Sequence, residues 1–199
     1  MSALTSLVHL GDLTLTVPAA IGISAWFAAT RAWRMALWWS GLFMLGIGLV
    51  GASKIAFLVW GLGIAPVGYK AASGHAAGAM AVLPVLFYLL LQGLPRARQL
   101  AGSIGVALGL LVALALVLEN EHTLAEALAG CALGATASLG ILHLTRDSHL
   151  QRPASAWLCF ATAALGAAIL TRSAPTAYWM IRLAQLVSGN TRFYWFDSG

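Results

Sequence analysis

Long apolar runs separated by short polar breaks dominate the chain. Six of the runs, at 13–30, 36–61, 75–94, 100–118, 124–144 and 156–170, come near the roughly 20 apolar residues that a helix needs to cross a bilayer. They predict an all-α integral membrane protein: a six-transmembrane-helix bundle forming a single domain over 1–199. Beyond the last run, Tyr178, Trp179, Met180, Ile181, Leu183, Leu186 and Val187 surround Arg182 and Gln185. That pattern predicts a C-terminal amphipathic helix lying in the membrane interface. Tyr194, Trp195 and Phe196 are expected to anchor the tail in the same aromatic belt. No internal repeat stands out.

Composition agrees with the pattern. Of 199 residues, 60% are hydrophobic and only 9% charged, against roughly 25% charged in soluble domains. The net charge of +5 does not point to nucleic acid, because the eleven basic residues lie singly or in pairs between apolar runs and form no stripe. Cys131 and Cys159 fall inside apolar runs and read as small buried residues rather than a disulfide or metal site. The N-terminus lacks a basic region and carries His9 and Asp12, so no cleavable signal is expected.

The basic residues also set an orientation, since short cytoplasmic loops retain Lys and Arg. Arg31 and Arg34, Arg96 and Arg98, and Arg146 and Arg152 mark three alternate loops as cytoplasmic. Both termini, the loop at Lys70 and the loop from Glu119 to His122 are then expected outside a bacterial inner membrane. Arg172, Arg182 and Arg192 in the tail run against the rule.

Against this apolar background, a few polar positions stand out. Lys54 lies eighteen residues beyond Ala36, a rise of about 27 Å, which places it near the outer edge. The segment Lys70 to Gly78 opens the third run with Ser73-Gly74-His75, and His122 with Glu126 opens the fifth. All of these points share one leaflet. His122 and Glu126 are four residues apart, on one helical face, where a carboxylate can fix an imidazole tautomer. Such a histidine makes a nucleophile or base. The plainer reading is a capping box on Thr123. Around Ser73 and Gly74, the exposed N–H groups of a helix start favour an anion, and His75 has the acidity to protonate a leaving oxygen. The plainer reading there is an ordinary cap with a small-residue packing face, Ala76, Ala77, Gly78, Ala79 and Ala81. For Lys54 the plainer reading is snorkelling to the interface.

At these residues the chain resembles the type 2 phosphatidic acid phosphatase family, membrane enzymes that hydrolyse lipid phosphates and pyrophosphates without metal. Lys54 matches the lysine of the family's first motif, Ser73-Gly74-His75 the second in full, and His122 with Glu126 the histidine and acid of the third. The resemblance runs from about Leu10 to Gly134. It implies His122 as nucleophile, Glu126 as its orienting partner and His75 as general acid. Lys54, Ser73 and Gly74 would hold the phosphoryl oxygens. The family's first-motif arginine falls on Gly61, and its Ser-Arg pair on Ala115 and Leu116. Lys70 or Arg172 is the expected substitute, offering charge without a guanidinium fork. The partners implied are a lipid phosphate, isoprenoid or glycerolipid, and membrane lipids, with no cofactor and no metal.

Other classes compete with this reading. A catalytically degenerate relative would bind a headgroup or a membrane-protein partner without turnover. A serine hydrolase pairing Ser73 with His143 fails because His143 is at the inner end of its run. A metal site would draw on His75, His122 and Glu119 or Glu121, and a transporter would show inverted repeats or broken helices.

Overall fold

In a computed structural model the described residues are 3–91, 94–146, 154–171, 176–189 and 194. They form eight α-helices: α1 (Ala3–His9), α2 (Leu13–Ala29), α3 (Trp33–Trp60), α4 (Gly74–Leu90), α5 (Pro95–Leu118), α6 (Leu124–Thr145), α7 (Ala154–Thr171) and α8 (Thr176–Ser188). No strand occurs among the described residues; a single antiparallel bridge joins Ile64 to Tyr69.

Four helices, α3, α5, α6 and α7, are long and apolar enough to cross a membrane. The shorter apolar helices α2 and α4 each have 17 residues, about 25 Å of rise against a hydrocarbon core of about 30 Å. The short length of α4 has a physical reason: it packs between α5 and α6, and 12 of its 17 residues are buried. A helix sheathed by protein need not match the bilayer.

Small residues permit that enclosure. On α5, a side chain at Gly105 would strike Pro84 and Leu83, and one at Gly109 would strike Met80. On α6, Gly130 sits against the Ser73 carbonyl and Ala76, and Gly134 against Ala77 and Ala81. Such close backbone approach drives association where lipid tails remove the hydrophobic incentive. A second layer joins α2 to α3 and α7, with Trp26, Phe27, Trp39 and Ile141 fully buried. The Trp39 indole donates to the Ala20 carbonyl at 2.9 Å. Leu37, Met44, Leu114 and Leu170 stand exposed on the bundle's exterior, a surface suited to lipid.

Helix α1 is a departure from the sequence reading, which expected only a weakly polar lead-in. Its Val8 packs with Val112 and Leu116 of α5. The cysteines divide: Cys131 is buried, while Cys159 is exposed on α7 and not a core residue as expected. Trp195 and Phe196, expected as tail anchors, lie outside the described residues.

Candidate functional site

The start of α6 fixes the Glu126 side chain from two directions. Thr123 is the N-cap, its hydroxyl accepting from the Glu126 amide at 3.3 Å while Glu126 Oε2 accepts from the Thr123 amide at 3.2 Å. The same Oε2 lies 2.9 Å from His122 Nδ1. The cap and the His–Glu pair, alternatives in the sequence, are therefore one structure. Glu126 Oε1 reaches the other way and accepts from the amides of Lys70 at 3.0 Å and Ala71 at 3.3 Å. Four contacts fix this buried carboxylate in place and tie the loop before α4 to the start of α6.

A carboxylate can only accept here, so Nδ1 of His122 carries a proton, and in the neutral ring the lone pair is then on Nε2. The turn that delivers His122 runs through Asn120, whose φ of 58° is left-handed, a conformation that asparagine tolerates better than most residues. The amides of Glu121 and His122 close this turn onto the Leu116 carbonyl.

His122 lines a cavity of about 580 Å³ together with Lys54, Lys70, Glu121, Glu126 and Asn120. Two ammonium groups and one imidazole thus share a volume within the range of small-molecule sites. Met180 of α8 forms part of the wall. Lys54 comes from the last third of α3, within electrostatic reach of Glu126.

The structure does not bring the Ser-Gly-His segment to this wall. Ser73 is wholly buried, and its hydroxyl accepts from the Ala76 amide at 3.3 Å as the N-cap of α4. Gly74 is buried beside Val50. The His75 ring turns toward α2, with Nε2 2.8 Å from Asp12 Oδ1; the other oxygen of Asp12 lies 2.9 Å from His9 Nδ1. Asp12 caps α2 through its backbone only, leaving its carboxylate to the two imidazoles. This His9–Asp12–His75 chain was missed in the sequence. Its signal was faint: Gly11, which lets the α1–α2 turn press on the His75 backbone, and Thr16 against Gly78.

The positions of the absent arginines carry no charge. Gly61 is the left-handed C-cap of α3, and Ala115 and Leu116 are buried in α5 against α1. Of the expected substitutes, Lys70 lines the cavity and Arg172 lies outside the described residues. Arg182 instead bonds the Tyr178 hydroxyl at 3.0 Å on the exposed face of α8. His143 is in the last turn of α6, remote from Ser73 at the head of α4, so the serine hydrolase pairing has no geometry. Among the described residues no three His, Cys, Asp or Glu side chains gather as metal ligands.

Comparison with known proteins adds a family and a relative. The family model described as the PAP2 superfamily matches residues 61–150, which span the loop before α4 through α6. An "Uncharacterized 22.5 kDa protein in cps region" of Klebsiella pneumoniae is 33% identical over 141 residues, covering 68% of this chain and 66% of that protein. No solved structure matches.

Proposed function

The chain belongs to the PAP2 superfamily, and from that premise we propose that it is an integral membrane phosphatase acting on a lipid phosphate or pyrophosphate through a histidine nucleophile. The carrying observation is the His122–Glu126 pair, 2.9 Å apart on the wall of a cavity that also presents Lys54 and Lys70. In this reading Nε2 of His122 attacks phosphorus, and a P–N bond forms as the bond to the lipid oxygen breaks. That oxygen leaves with a proton, and water then attacks phosphorus, breaks the P–N bond and releases inorganic phosphate. Glu126 stabilises the positive charge that develops on the ring, and the lysines neutralise the phosphoryl oxygens.

The leaving proton is assigned to His75 acting through a water between its ring and the cavity, since the ring itself is off the wall, with Asp12 as the partner that holds it. Ser73 and Gly74 serve by shaping the start of α4 and delivering the Lys70 loop to Glu126, with phosphate contact through their backbone as the further proposal. All six long apolar runs cross the membrane in this reading, α8 lies in the interface, and the site opens on the outer side of a bacterial inner membrane.

A second reading has its own observation. With Gly61, Ala115 and Leu116 at the clamp positions, no described residue lining the cavity offers a guanidinium fork, and Glu121 adds negative charge. A headgroup-binding protein without turnover fits that balance. The two part on one assay: purified protein is given a panel of isoprenoid and glycerolipid phosphates, and released phosphate is measured. The phosphatase reading expects release that His122→Ala abolishes, and that Lys54→Ala and Lys70→Ala each reduce by about tenfold or more. Binding without release in the wild type would establish the second.

A further inference from the structure

A second cavity, of about 310 Å³, lies where the end of α4, the start of α5 and the end of α6 meet. It is far from His122: the twenty residues from Arg98 to Leu118 span about 30 Å. Its polar wall is Arg98, Gln99, His143 and Arg146, and its apolar wall includes Leu139 and Leu142. Arg98 is held from two sides, its guanidinium 5.4 Å over the Tyr88 ring and Nη2 donating to the Arg146 carbonyl at 2.6 Å. Its Nε is buried and has no hydrogen-bond partner. A buried donor without an acceptor is costly, and two arginines lining one pocket repel each other. The carboxylates among the described residues, Asp12, Glu119, Glu121 and Glu126, all sit at the opposite end of the bundle. No described carboxylate lines the pocket.

We infer that this cavity binds the phosphate group of an anionic phospholipid from the leaflet faced by the arginine-bearing end of the bundle. The shared chemistry of a phosphate would also suit a soluble ion. The lipid is favoured because Leu139, which lines the pocket, is 53% exposed on the bundle exterior, where an acyl chain would run. Basic pockets between membrane helices are used in this way. Arg98 supplies a guanidinium held in place on Tyr88, and the exposed Arg146 supplies charge at the rim.

The test is native mass spectrometry of the purified full-length protein in detergent, titrated with phosphatidylglycerol, phosphatidylcholine or inorganic phosphate. Phosphatidylglycerol should bind in preference to phosphatidylcholine. Arg146→Gln should weaken that binding by about fivefold, the share of one surface cation. Arg98→Gln should weaken it further, but Arg98 packs on Tyr88, so the exposed Arg146 carries the decision. Equal binding of the two lipids, or no loss in Arg146→Gln, would overturn the site. Arginine-dependent binding of inorganic phosphate with no preference for phosphatidylglycerol would overturn the lipid.

Discussion

Glu126 joins two tasks in one carboxyl group. Oε1 receives two amides of the loop before α4 and Oε2 receives His122 and Thr123, so each oxygen needs full acceptor character. A glutamine can present only one oxygen, and its amide nitrogen must face one of these donor pairs. Glu126→Gln is therefore expected to lower kcat on the order of 10²–10⁴-fold, as loss of an orienting carboxylate does, and to lower thermal stability as well. His75 and Asp12 provide the contrast. Their pair is outside the cavity wall, and the Asp12 carboxylate holds only the side chains of His9 and His75, with no backbone amide on it. Asp12→Asn should thus reduce kcat by about tenfold while leaving the melting temperature nearly unchanged. Equal damage to stability in both variants would make Asp12 a structural residue and not a positioning one.

Elements α4 and α6 meet through glycine. Because a side chain at Gly134 would run into the Ala77 carbonyl, Gly134→Leu must push the helices apart. The expected cost is about 1–3 kcal/mol, typical of overpacking, read as a lower melting temperature in detergent. Gly166→Leu on α7, where nothing lies within 4 Å, should melt like the wild type. Much at this scale was legible from hydropathy alone, because apolar runs bounded by Arg pairs, Pro95 and Thr123 leave little freedom in where helices begin and end. The Thr123-x-x-Glu126 cap was legible for the same local reason. Helix α1 was not, since its seven residues carry no helical period of their own and depend on the face of α5. Nor was the Asp12–His75 contact, which joins residues 63 apart and exists only because Gly11 and Gly78 let α2 lie close to α4. Lys54 and His122 could be placed in one leaflet by counting residues. That Ser73 turns inward as a cap could not, because whether a helix start faces a ligand or a neighbouring helix depends on how deeply Gly130 lets α6 approach it.

Across the whole molecule, charge is polarised. Arg98 and Arg146 gather at one end, and Lys54, Lys70 and the described carboxylates at the other. In the proposed orientation, which follows the positive-inside rule, the His122 cavity faces outside. In a background with Cys131 and Cys159 replaced by alanine, a cysteine at Glu119 should react with a membrane-impermeant maleimide on intact cells. One at Arg96 should react only after permeabilisation, and the reverse pattern would invert the orientation. The chemistry itself is reached most directly by trapping the covalent intermediate. Protein mixed with a ³²P-labelled lipid phosphate and quenched in alkali should carry label on His122, with none in His122→Ala. Phosphate release without label on His122, or label that survives in His122→Ala, would contradict a histidine nucleophile at this site.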